Sequence, residues 1–175
     1  MTVEALRRGE PDVLTTLLDR FGGEIQGVAY LILRDRAAAE DVLSETLLTA
    51  LARGASLRDP DALRPWLLRI ATNVALGQRR KGSRVIELHL VAEPTAPRPG
   101  LDPDDRAALW QGVSALAPKM RAAVVLRYYA DLPVEEVATV LGVSPNTVKT
   151  QLKAALTHLR TTLSEPPALA EARHA

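Results

Sequence analysis

The sequence contains no cysteine. That excludes a disulfide framework, a thiolate nucleophile and a cysteine-ligated zinc. Aromatic residues make up only 3% of the chain, and with Ala, Leu, Arg and Glu prominent the composition favours helix over strand. No apolar run approaches the roughly 20 residues of a membrane span, and the start, MTVEALRRGEPDV, lacks the apolar centre of a secretion signal. The expected compartment is the cytoplasm. Neither sign of charge prevails, with 22 basic against 21 acidic side chains. His89, His158 and His174 stand singly, so neither a metal site nor a cofactor is expected. What is present is 47% apolar residues in a chain of 175, a globular composition. At roughly 100–200 residues per domain it allows one ordinary domain or two small ones. The expected fold class is all-α.

The apolar positions confirm the helical period. Leu14, Leu17, Leu18, Phe21, Ile25, Val28, Ala29 and Ile32 follow the three-four spacing of one buried face, with a bend expected at Gly22-Gly23. After Arg34-Asp35-Arg36 a second helix is expected from about Ala37 to Ala52, with Val42, Leu43, Leu47, Ala50 and Leu51 inward and Arg53-Gly54 as its stop. Residues 55–64 read as a loop. A third helix begins near Pro65, sets Trp66, Ile70 and Val74 on one side, and ends in Gln78-Arg79-Arg80-Lys81-Gly82. Residues 82–103 then hold four Pro and two Gly in 22 residues, the mark of an extended connector. Beyond it helices are expected around Leu109–Leu116 and at about 119–130, 133–141 and 145–163. The organisation predicted is two small helical domains, 8–81 and 104–163, a linker at 82–103, and a frayed tail at 164–175.

The most specific spacing lies in the second half. Val137, Leu141, Val143, Val148 and Leu152 are periodic, and Ala138 is small where two helices would cross. Gly142, four residues later, suits a turn that needs positive φ. Ser144-Pro145 supplies an N-cap followed by Pro at the first helical position. This is a helix-turn-helix pattern, whose second helix enters the major groove of DNA. From Ser144 to Arg160 the charged residues are Lys149, Lys153 and Arg160, with no acid. Asn146, Thr147, Lys149, Thr150 and Lys153 fall on the outer side and can all donate to phosphates or bases. Three phosphate contacts would give a salt slope of only about −2.7, a weak grip alone. Useful affinity requires a second contact on the same chain or a large partner.

Taken in order, the pieces resemble an extracytoplasmic-function (ECF) sigma factor, the small sigma-70-type subunit of bacterial RNA polymerase. The resemblance rests on Glu40-Asp41-Val-Leu-Ser-Glu-Thr-Leu-Leu, Pro65-Trp-Leu-Leu-Arg-Ile-Ala-Thr-Asn-Val-Ala with its basic end, the Pro-rich tether, Leu116-Ala-Pro-Lys-Met-Arg, Leu126-Arg-Tyr-Tyr and the helix-turn-helix. It implies that the first half is sigma region 2 and the second sigma region 4. It also implies that Glu40, Asp41, Ser44 and Glu45 dock on the β′ clamp helices of core polymerase. The minus-ten element would be read and opened by Ser56, Leu57 and Arg58 in the loop and by Arg64, Arg69 and Asn73 on the helix, Leu57 packing on a flipped base. Arg79 and Arg80, with Lys81 and Arg84, would track phosphates. Asn146, Thr147, Lys149, Thr150 and Lys153 would contact the minus-thirty-five element, and a nearby face the β flap. An anti-sigma factor is a further partner of many such proteins, although no segment here identifies one.

Two other function classes compete. A stand-alone helix-turn-helix regulator would use residues 104–163 in the same way. Residues 37–81, an acidic stripe followed by a Trp-bearing helix with a basic end, have no obvious use in a ligand sensor. An enzyme is the third class. Asp41 and Glu45 stand four apart on a helix, but no His or carboxylate cluster and no Gly-rich phosphate loop accompanies them. The expected function is non-catalytic, the polymerase doing the chemistry.

Overall fold

The structure is a computed structural model and describes residues 3–81 and 103–164. Eight α-helices are found among the described residues, with no strand. The all-α expectation holds. A six-residue helix, α1 (Val3–Arg8), precedes α2 (Val13–Leu33), α3 (Arg36–Arg53) and α4 (Leu63–Lys81). The second half contains α5 (Pro103–Ala115), α6 (Pro118–Val124), α7 (Val134–Leu141) and α8 (Pro145–Ser164).

The helix boundaries have local causes. Arg34 takes a left-handed φ of 62° and returns its N–H to the Tyr30 carbonyl, ending α2. Asp35 then accepts the Ala38 N–H at 3.0 Å and caps α3. With so short a connection α2 and α3 pack antiparallel, and α4 completes a three-helix core holding Leu17, Ile25, Val28, Val42, Ala50, Leu67 and Ala71. Gly22 is buried against Leu18 and Leu43. α2 runs through Gly22-Gly23 as one continuous helix. Close α2–α3 packing uses Gly22.

Two further elements depart from the sequence pattern. α3 continues into a 3-10 turn at Gly54–Ser56 before the loop begins, and α6 widens into a π-turn at Val125–Tyr129. The π-turn lets Ala130 N–H reach the Val125 carbonyl and Leu132 N–H reach that of Leu126, releasing the chain toward α7.

The two halves are in contact: α7 packs on α4, and the π-turn on α2. Buried residues of both halves form one continuous apolar cluster. Arg121, only 1% exposed, fastens them. Its guanidinium donates to the carbonyls of Val113 (3.1 Å), Ser114 and Leu116 (3.2 Å) around the end of α5, and to Ile32 (2.9 Å) at the end of α2. Cations are favoured at helix C-termini, where carbonyls lack intrahelical partners, and this offsets the cost of burying the charge. The Tyr30 and Trp110 rings stack at 5.7 Å, Arg34 lies 5.8 Å over Trp110, and Gly27 leaves the space that the Tyr129 hydroxyl occupies. The linker, including Val85–Val91 and Arg84, and the tail from 165 lie outside the described residues.

Candidate nucleic-acid and protein interfaces

α7 and α8 build the first candidate surface. Gly142 sits at φ 65° and its N–H caps α7 on the Ala138 carbonyl. The Ser144 Oγ accepts the Thr147 N–H at 3.1 Å, and Pro145 opens α8. The expected turn chemistry is therefore present atom by atom. Ala138 is buried where the helices meet. Val148, Leu152, Ala155 and Leu159 face inward; Asn146, Thr147, Lys149, Thr150 and Lys153 are all exposed. Thr150 donates its hydroxyl to the Asn146 carbonyl, which leaves its oxygen as an acceptor. Sequence reasoning did not place Arg127 and Tyr128 beside this face. Arg127, Tyr128, Lys149, Lys153 and Arg160 line one open groove of about 440 Å³. Arg127 sits 5.7 Å over the Tyr128 ring and 3.4 Å from Asp131. The π-turn supplies these residues, and no helical period announces it.

The second surface is the outer side of α3. Glu40, Asp41, Ser44 and Glu45 are all exposed, and the Ser44 hydroxyl donates to the Glu40 carbonyl at 3.1 Å. Arg36 lies 3.5 Å from Glu40, but both side chains are more than half exposed, so the pair is weak. Leu48 extends the row: Asp41, Glu45 and Leu48 follow one another at helical spacing, and Leu48 is 63% exposed. On α2, Leu14 and Leu18 are exposed as well. The register set by Gly22 against Leu43 brings them beside the second half of α3. The outer side of this helix pair thus carries an acidic strip on α3 and exposed leucines on both helices, suited to a partner with basic and apolar groups. These three leucines were not singled out from the sequence, where Leu14 and Leu18 count as core.

The third surface is the loop before α4 and the helix itself. Ser56 and Arg58 are exposed, as are Arg69 and Asn73, one turn apart on α4. Leu57 is not. At 5% exposure it is buried, held under α1, so it presents no surface to a flipped base in this structure. Its side chain joins the apolar core, and its backbone carbonyl accepts a hydrogen bond from Arg7 of α1. Trp66 is partly buried against the core, as its spacing with Ile70 and Val74 suggested.

Arg64 is also committed elsewhere. Its Nε donates to Glu24 Oε2 at 3.0 Å, and its Nη2 bridges Glu24 Oε1 and the Ala130 carbonyl. A residue expected at DNA instead joins α2, α4 and the second half. Its side chain keeps 39% exposure, so this is a partly wetted contact that a competing phosphate can replace. The side chains of Arg79, Arg80 and Lys81 lie outside the described residues.

The family model "Sigma-70 region 2" matches residues 17–85, and "Sigma-70, region 4" matches 103–159. The sigma-E factor of Streptomyces coelicolor is 32% identical over 137 residues, 75% of each chain. The sigma factor CarQ of Myxococcus xanthus is 29% identical over 168 residues, covering 93% of this chain and 96% of that one. Among solved structures, the sigma factor RpoE bound to the anti-sigma factor NepR, from Bartonella quintana, has the same fold. Its TM-score is 0.72 at 23% identity, over 87% of this chain and 97% of that one. CnrH bound to the cytosolic domain of CnrY gives 0.68 at 21% identity, over 92% and 94%. The chain belongs to the sigma-70 family of RNA polymerase sigma factors, in its extracytoplasmic-function group, and directs transcription initiation at promoters.

Proposed function

We propose that the three surfaces divide the work of promoter recognition as follows. The strip Glu40, Asp41, Ser44, Glu45 and Leu48 docks on core polymerase, at its β′ clamp helices. Asn146, Thr147, Lys149, Thr150 and Lys153 contact the minus-thirty-five element, with Arg127 and Arg160 flanking them. Ser56 and Arg58 in the loop, with Arg64, Arg69 and Asn73 on α4 and Arg79 and Arg80 at its end, contact the minus-ten element. Leu57 supports the loop from beneath. No group here acts as a catalyst; base pairs open because the released strand is bound, and the polymerase makes the phosphodiester bonds. An anti-sigma factor is a reasonable further partner, since two relatives of the same fold are seen in complexes, one of them with a named anti-sigma factor.

The observation that carries this reading is α8. It turns an acid-free row of donors to solvent while the opposite side anchors it in the core, as a major-groove reader requires. With few phosphate contacts it binds weakly alone, and tethering to polymerase raises its effective concentration. Two opposed variants test the division. Lys149→Ala with Lys153→Ala lowers promoter affinity of the holoenzyme and leaves core binding intact. Asp41→Arg weakens core association and leaves minus-thirty-five contact unchanged. Equal core affinity for Asp41→Arg, or unchanged transcription from a cognate promoter for the lysine variant, would overturn the assignment.

A further inference from the structure

α1 lies ahead of the segment that the region 2 family model matches, which begins at residue 17, and nothing above gives it a task. It has six residues, too few to persist as an isolated helix, so it is ordered by what it packs on. That surface is the 3-10 turn Gly54–Ser56 at the head of the loop. Val3 and Leu6 are buried. Leu6 approaches Gly54 so closely that a Cβ there would lie 2.7 Å from Leu6 Cγ and 3.0 Å from its carbonyl oxygen. Arg7 Nε donates to the Leu57 carbonyl at 2.8 Å, across 50 residues of sequence. The loop's own hydrogen bonds are local: Ser56 to Arg53, Leu57 to Gly54, Asp61 and Ala62 to Asp59, and Leu63 to Pro60.

We infer that α1 is a strap that sets the geometry of the minus-ten-reading loop, with Arg7 and Leu6 as positioning residues for capture of the opened strand. The inference rests on the proposed role of that loop. Leu57 is held twice, by its buried side chain and by its backbone carbonyl. Its neighbours Ser56 and Arg58 point outward from a fixed point rather than from a free segment. A base leaving the stack must find its pocket ready, because any disorder in the loop adds to the cost of unstacking. The strap moves that ordering into folding, before DNA arrives. Its contribution is specific to the step in which a duplex is opened.

Reconstituted holoenzyme tests this on paired templates, one fully duplex and one with the minus-ten segment already unpaired. Arg7→Ala is expected to lower the ratio of initiation on duplex to unpaired template about fivefold. It should also narrow discrimination between the cognate minus-ten element and single-base variants, with core affinity unchanged. Arg7→Lys, which keeps a donor for the Leu57 carbonyl, should recover part of both. Arg58→Ala serves as the reference for the loop itself. If Arg58→Ala changes ratio and discrimination while Arg7→Ala changes neither, the strap is wrong and the loop reading stands. Equal losses on both templates for Arg7→Ala would mean a general stability effect and also overturn the strap. If neither variant changes ratio or discrimination, the loop reading fails and the inference with it.

Discussion

Gly142 and Ser144 show how single residues place α8, the helix proposed to read DNA. At φ 65° Gly142 has open space around its absent Cβ, so the cost of Gly142→Ala is backbone strain alone, about 1 kcal/mol. Ser144→Ala removes the acceptor for the Thr147 N–H, again about 1 kcal/mol. Thermal midpoints of both variants should fall by a few degrees, and a midpoint unchanged in either would contradict the capping account. The lysines act differently. Lys149 and Lys153 are exposed, so replacing both by Ala should leave the midpoint alone and reduce the salt slope of promoter binding by about 1.8. These residues were legible in the sequence because a positive-φ glycine, a cap and a run without acids are all local signals. Leu57 and Arg64 were not. Whether a loop leucine faces a base or a neighbouring helix, and whether an arginine meets phosphate or Glu24, is decided by partners 40 to 66 residues away.

At the scale of elements, period-3.6 patterning placed the long helices, and the outer strip of α3 followed from it. Its apolar extension did not, because Leu14 and Leu18 match the core spacing of α2 and only packing shows them outside. Leu48 gives the sharper test. Burying a leucine at an interface contributes about 1.5–3 kcal/mol, so Leu48→Asp should weaken core polymerase binding by roughly tenfold or more. Because the side chain is exposed in the free protein, its thermal midpoint should not fall. A titration showing unchanged core affinity would remove Leu48 from the docking face. α1 and the π-turn at Val125–Tyr129 were invisible in the sequence for a common reason: α1 is too short to establish a period and the π-turn breaks one.

The whole molecule sets a problem of distance. Two promoter elements about 25 base pairs apart lie roughly 85 Å apart at about 3.4 Å per pair, whereas a compact chain of this size is roughly 40 Å across. If the two halves contact the two elements as proposed, their docked arrangement must open on the promoter. The 21 residues at 82–102 have a covalent reach of up to about 70 Å, enough to permit it. On the proposed reading, opening breaks the Arg64–Glu24 and Arg64–Ala130 contacts, separates Tyr30 from Trp110 and frees Arg64 for the minus-ten element. With no native cysteine, Ala52→Cys and Thr161→Cys accept dyes cleanly on two exposed sites, one in each half. Energy transfer between them should be high in the free protein and fall on binding core polymerase. Gly27→Ala, which forces the Tyr129 hydroxyl out of its place, should lower transfer in the free protein. Constant transfer on core binding would contradict the opening. The docking itself was illegible in the sequence, since Arg121 and Ile32 lie 89 residues apart and no local pattern joins them.

The most direct test combines purified core polymerase, this protein and a randomised promoter library in a run-off assay. The account predicts that transcripts require the protein and that active templates share two elements at one fixed separation. In the Lys149→Ala, Lys153→Ala variant the requirement for the upstream element alone should be lost, while transcripts still depend on the protein and on the downstream element. Transcripts that do not depend on the protein, or tight binding of the free chain to a single site at ordinary salt, would contradict it.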